Sequence, residues 1–504
     1  MSTSAERSSS VDGTTLNGAD GARGAKRRHG PRQVSLFAPE LANERKAFLK
    51  EWGKVRVPAA LQASEADQRT PQALFWTTLF MWMMLPVYWG AYFRQAQNLY
   101  RLTVGLIDLD SPGAAAMGRT PVVGPALLAA PAQLAGTHHL GYVEIDTTQF
   151  DISNVTGQAR RGVNVYDWAE HAIVNEDYFG IIIANPNATV AAVEAYESLA
   201  DGTQAVNYDG SGALTMYYAE GRNFETEDQW VAPGMTSLIT QHVSGSAGSS
   251  LLAQLTPRLG GLTAAQYAAV NQTALSSVLA KPFNYSQWNL RPIHAFAGIP
   301  ATSVGLLYLL IFTYFISLFW NNARMQIEKY LRLKDLIILR ILVPVVQYIF
   351  ISLWISLVTL AFQVPFNDWW GKGGFPLFWA SNFCCQWALG MPMEIALTIV
   401  GPKYTAFFLI FWVIMNVSVA FIDLADQDHF YSYGFVSPVF QAVQVGKSIM
   451  FGTKSRMGQY FGVEIAWIVC GTLALVAATV YKRRKAEKQE AVEQVQEKER
   501  KGQA

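Results

Sequence analysis

The chain has 504 residues, 51% of them hydrophobic and 13% aromatic, with 39 basic against 38 acidic side chains and a net charge of +1. That balance suits a chain shared between lipid and water and carries no nucleic-acid signature. The three cysteines, Cys384, Cys385 and Cys470, all fall in apolar runs, so the aqueous part is expected to hold together without disulfides.

From the amino terminus, residues 1–39 are rich in Ser, Gly and Ala around the cluster Lys26-Arg27-Arg28, which predicts a disordered cytosolic tail. Residues 40–58 put Leu41, Phe48, Trp52 and Val55 on one helical face among Arg45, Lys46, Lys50 and Lys54, a juxtamembrane amphipathic helix that Pro58 ends. A bilayer core of about 30 Å takes about 20 helical residues. Six apolar runs reach that length: 73–93, 301–320, 341–362, 377–400, 404–422 and 461–481.

Basic residues decide which way the runs cross. They gather before the first (Arg45, Lys46, Lys50, Lys54, Arg56), between the second and third (Arg324, Lys329, Arg332, Lys334) and after the last (Lys482-Arg483-Arg484-Lys485). The positive-inside bias then makes both termini cytosolic and residues 94–300 extracytoplasmic. Four N-glycosylation sequons, at Asn154, Asn187, Asn271 and Asn284, fall in that same segment and argue for the same sidedness. A fifth, at Asn416, lies in an apolar run where no glycan could be added.

Within 94–300, strand-like runs at 101–108, 141–146, 178–184 and 213–219 alternate with helical periods at 163–174, 189–199, 233–255 and 264–279. The expected fold is an α-helical polytopic membrane protein of six transmembrane helices. An α+β extracytoplasmic domain sits between helices 1 and 2, a five-helix membrane domain covers 301–481, and a charged cytosolic tail covers 482–504.

The segments VGLIDLDSP, YFGIIIANPNATVAAVEAY and ALTMYYAEGRNF, in that order, resemble the exterior domain of ABC-2-type permeases and of the related phage-infection-protein group. Residues 416–467, with NVSVAF, YSYGFVSPVF and FGTKSRMGQYFGV, resemble the fungal nitrosoguanidine-resistance membrane proteins. The resemblance spans roughly 75–481 and departs at Asp423-Leu-Ala-Asp426-Gln-Asp428, where the family is apolar. It implies a plasma-membrane protein conferring resistance to toxic small molecules, by export or by changing lipid or drug partitioning. Membrane lipid, a second copy of the chain, and a separate ATPase or transporter are the partners it implies. The rival reading is a non-transporting accessory protein that binds lipid or such a partner.

Several residues invite chemistry. Glu394 is the acidic residue deep in an apolar run, two after Pro392, and at that depth needs a partner or a wet cavity. Arg340 and Glu464 read as span-edge residues that snorkel. The segment 423–460 contains Asp423, Asp426, Tyr433, Gly434 and Pro438, is too apolar for a plain connector, and reads as a re-entrant hairpin on the exterior side. Gly446-Lys447-Ser448 ends like a phosphate-binding loop, but Gln441 stands where that loop requires Gly, so nucleotide binding is not expected. His138, His139, Glu144 and Asp146 cannot converge from one strand, which leaves no metal site. No cofactor and no catalytic arrangement is expected, and the chain does not read as an enzyme.

Overall fold

The computed structural model describes residues 65–150, 164–200, 208–259 and 282–502. The tail 1–39, the helix 40–58, the sequons at Asn154 and Asn271, and the helical period 264–279 lie outside the described residues.

After helix α1 (Glu65–Phe93), the chain builds a five-stranded sheet from β1 (Thr103–Asp108), β2 (Gly141–Glu144), β3 (Gly180–Ala184), β4 (Leu214–Tyr218) and β5 (Tyr285–Asn289). The strand order is β2-β1-β3-β4-β5, with only the β3–β4 pair antiparallel. Successive side chains of a strand point to opposite faces, and both faces of the central strands are apolar. Val104, Leu106, Ile182 and Ala184 enter one core with Leu127, Leu238 and Leu251. Ile107, Ile181 and Ile183 enter the other with Val165, Ala169 and Ile173.

Helices therefore cover the sheet on both sides: α2 (Asp110–Ala116), α3 (Val123–Ala129), α5 (Ala188–Ala200) and α6 (Ser244–Leu259) on one, and α4 (Val165–Val174) on the other. Buried Asp110 ties three of them. It accepts hydrogen bonds from Thr189 N (2.8 Å), Thr189 Oγ1 (2.6 Å) and Val123 N (3.2 Å). Strand β5 is missing from the sequence expectation because its residues, Tyr-Ser-Gln-Trp-Asn, are mostly polar, as an edge strand allows.

The second half is helical: α7 (Gly305–Ile327), α8 (Leu333–Ala361), α9 (Gly374–Ile399), α10 (Thr405–Val417), α11 (Pro438–Met450) and α12 (Met457–Gly502). Among the described residues three helices are long and apolar enough to cross a membrane, Gly305–Tyr330, Leu333–Ala361 and Met457–Glu499. The run expected over 404–422 is helical only over the 13 residues of α10, about 20 Å at 1.5 Å per residue. It stops where side chains take over the backbone bonding: Asn416 Nδ2 donates to Trp412 O, Ser418 Oγ to Ile414 O, and Gln427 Nε2 to Ser418 O.

Helix α9 sits at the centre, packed against α7, α8, α10, α11 and α12. That position explains its Asn, Gln and Cys content, since protein rather than lipid surrounds it. The 423–460 segment forms a 3-10 turn (His429–Val436) and the short helix α11. Ser437 caps α11 by accepting from Phe440 N, with Pro438 in the first helical position, where its missing N–H leaves no bond unmade.

Candidate functional site

Two charged assemblies stand out among the described residues. The first lies inside the helical bundle. Glu394 does find a partner: Arg324 Nη1 lies 3.4 Å from Glu394 Oε2, both side chains fully buried. Arg324, expected in the cytosolic link, instead occupies the inward face of the last turn of α7, where Nη2 also donates to Asn321 Oδ1 at 2.9 Å. Pro392 lies inside α9 and offers no N–H to the Ala388 carbonyl one turn back.

The edge positions expected for Arg340 and Glu464 do not hold. Arg340 is 1% exposed and donates to Thr479 Oγ1 at 2.9 Å and Thr398 Oγ1 at 2.6 Å, and Thr398 Oγ1 in turn donates to Glu394 O at 2.7 Å. One polar seam thereby joins α7, α8, α9 and α12. Glu464 is wholly buried, and neither carboxyl oxygen has a hydrogen-bond partner. Both residues face the bundle because a charge turned to lipid costs more than one turned to neighbouring helices.

The second assembly lies where the lobe meets the hairpin. A cavity of about 340 Å³ is lined by Glu176, Arg222, Asp423, Lys447, Arg456 and Tyr460, among others. Asp423 is 3.6 Å from Arg222 Nε, and the Arg222 guanidinium lies 3.4 Å above the Phe179 ring, a cation–π contact. Glu176 follows α4 with φ at +61°, left-handed backbone that a non-glycine residue adopts at a cost. Burial pushes its carboxyl pKa up, against the pull of Arg222, Lys447 and Lys454. Lys447 is 7% exposed, and no hydrogen bond or ion pair within 4.0 Å reaches its ammonium from the described residues.

Of the predicted hairpin residues, Asp423 lines this cavity, and Asp426, Tyr433, Gly434 and Pro438 make their contacts elsewhere. Asp426 is buried and links the hairpin to the segment after α1. Its Oδ2 accepts from Gln95 Nε2 (3.1 Å) and its carbonyl from Asn98 Nδ2 (3.2 Å). Tyr433 donates to Met415 O at 2.9 Å, and the carbonyl of Pro438 lies 3.7 Å from Cys385 Sγ. Gly434 is buried where a side chain would run into Leu424 and Val419. Of the sequons, Asn284 is exposed at the start of β5. Asn187 is partly buried, at φ +61°, and its Thr189 hydroxyl is committed to Asp110. No group of three His, Cys, Asp or Glu able to hold a metal occurs among the described residues.

A family model described as a protein of unknown function, DUF3533, matches residues 73–473. The chain belongs to the DUF3533 family. An uncharacterized endoplasmic reticulum membrane protein of Saccharomyces cerevisiae, YJR015W, is 25% identical over 469 residues, covering 91% of this chain and 85% of the relative. No solved structure matches. Family, relative and apolar helices agree on a membrane protein, and the matched range takes in the whole 423–460 segment and the charged residues of both assemblies of this DUF3533 chain, with Thr479 just beyond it.

Sequence reasoning missed Arg324, Arg340 and Lys447 as site residues. A signal for Lys447 was present: it is the one charged residue of α11.

Proposed function

We propose that the chain is an ABC-2-permease-like membrane protein that lowers exposure of the cell to toxic small molecules of the nitrosoguanidine type, by export or by changing how lipid and drug partition. The observation that carries this reading is the buried Arg324–Glu394 pair, with Arg340 joined to it through Thr398. A purely structural pair in so dry a place is expected to satisfy every donor and acceptor. Here Glu394 Oε1, Arg324 Nε and Arg340 Nε have no hydrogen-bond partner, which suits a network that changes partners. Ionisable groups within membrane helices commonly mark transport or proton pathways.

In this reading α1, α7, α8, α9, α10 and α12 cross the bilayer, the lobe lies outside the cytosol, and the membrane is the plasma membrane or another endomembrane. The yeast relative's name gives the endoplasmic reticulum. A separate ATPase or an ion gradient supplies the energy. The second reading, an accessory protein that binds lipid or a partner transporter, draws support from Lys447: the chain's one nucleotide-loop-like lysine lines the lobe-side cavity instead.

The test compares the wild-type chain with Glu394→Gln in cells lacking the endogenous protein and exposed to nitrosoguanidine. Loss of resistance at unchanged abundance in the membrane is the expected result, and unchanged resistance would retire the export reading. Liposomes holding the purified chain, assayed for drug movement with and without a proton gradient, separate transport from the accessory role.

A further inference from the structure

The cavity between lobe and hairpin does not enter the export reading above and deepens the lipid-binding alternative, and its lining holds charges of both signs. Its lining carries three cations, Arg222, Lys447 and Arg456, and two acids, Glu176 and Asp423. Asp423 is already matched to Arg222 at 3.6 Å. Arg456 is exposed at the rim, while Lys447 is 7% exposed, lines the cavity and has no hydrogen bond or ion pair among the described residues. Glu227, wholly buried nearby, has both carboxyl oxygens unpartnered among the described residues, and burial pushes its pKa well up. With three cations against two acids, the lining keeps a surplus of one positive charge.

A buried ammonium with no counter-charge in contact is costly unless something completes it. Lys447 follows Gly446 on α11, where a Cβ would come within 2.9 Å of Thr302 Cγ2, so α11 packs closely against the chain before α7. A second cavity of about 260 Å³ shares Lys447, Asn223 and Ala420 with the first. Its other walls are largely aromatic and aliphatic, with Tyr88 and Tyr92 of α1, Phe224, Ile299 and Phe451, and Glu225, Thr302 and Ser303 are the polar residues among them. Polar and apolar chambers thus meet at one ammonium.

We propose that the lobe–hairpin cavity binds a phosphate group, with Lys447 as its main counter-charge and Arg456 at the rim. Lysine recognises phosphate as a point charge and needs no bidentate geometry. The phosphate belongs either to a phospholipid headgroup, whose apolar part lies in the adjoining chamber, or to a soluble phosphate ester. The adjoining apolar chamber favours the phospholipid.

Titration calorimetry on the full-length chain in detergent micelles tests this with four probes: dioctanoyl phosphatidic acid, dioctanoylglycerol, glycerol phosphate and inorganic phosphate. Binding of the phosphatidic acid but not of dioctanoylglycerol is the expected result. Lys447→Met should weaken that binding about tenfold or more, while Lys447→Arg retains most of it. Comparable binding of glycerol phosphate would keep the phosphate site and assign it to a soluble ester.

Equal binding of dioctanoylglycerol, or an affinity unchanged in Lys447→Met, would overturn the proposal. Should Lys447→Met fail to give monodisperse protein, Arg456→Gln at the exposed rim is the second variant, expected to weaken binding about threefold. No change there, with dioctanoyl phosphatidic acid bound equally well at low and high salt, would also overturn it. None of these readouts depends on drug resistance, so the site and the export reading stand or fall separately.

Discussion

Removing Glu394 strands a guanidinium in the middle of the bundle, and the size of the loss follows from the geometry. With Arg324 Nη1 and Glu394 Oε2 3.4 Å apart, Coulomb's law at an effective dielectric constant of about 20 gives roughly 5 kcal/mol. Breaking a buried pair by deleting one member costs about 3–5 kcal/mol. Glu394→Leu leaves Arg324 only the Asn321 amide oxygen as acceptor, and should therefore destabilise the bundle by about 3–5 kcal/mol. Arg324→Met should cost a similar amount. The double variant should recover most of the loss, because two apolar side chains of similar volume leave no uncompensated charge. Unfolding of the four proteins by SDS in mixed micelles measures the coupling between the positions. A coupling below about 0.5 kcal/mol, the limit expected of independent sites, would refute the pairing.

Three further outcomes follow from the same structure. Burial, reinforced by the charge of Asp423, pushes the Asp426 carboxyl up to about 7 against the lowering effect of its Gln95 hydrogen bond. A raised folded-state value means that the native chain holds this proton where the unfolded chain has released it, so its contribution is complete below about pH 4 and is lost as pH rises through about 7. Asp426→Asn should flatten that part of a thermal-stability profile taken from pH 5 to 8, and an unaltered slope would exclude Asp426 as its source. Gly390→Ala should destabilise by about 1–3 kcal/mol, since the added methyl runs into the Tyr348 phenol oxygen across the α8–α9 contact. If the lobe is outside the cytosol, Asn284→Gln should remove a glycan visible as an endoglycosidase-sensitive gel shift, because Asn284 is exposed. Wild-type protein with no such shift would count against that sidedness.

The strands that run into Asp or Asn were legible because apolar runs closed by turn residues have few other readings, and β1, β2 and β3 fall inside the ranges expected, as does β4. Strand β5 was not, since its strand conformation comes from pairing with β4 rather than from an apolar pattern of its own. The break in regular structure over 423–460 was legible from glycine and proline interrupting an apolar stretch, and a 3-10 turn and the short helix α11 stand there. The pairing of Arg324 with Glu394 was not, because the two are 70 positions apart and a count of flanking cations assigns Arg324 to the link. That count takes charge near a helix end as facing water, while the inward face of α7 turns this one toward α9. Lys447 was weighed only against the spacing of a nucleotide loop, and its failure there concealed what a lone cation on a buried helix signifies.

Helix α12 runs without interruption from Met457 to Gly502, 46 residues, or about 69 Å at 1.5 Å per residue. Tyr460, near one end, is a wall of the lobe–hairpin cavity; Thr479, midway, receives the Arg340 hydrogen bond; the last turns carry the Glu/Lys tail. Three regions that differ in chemistry are therefore mounted on a single shaft. A tilt imposed at any of them is delivered to the other two without a joint to absorb it.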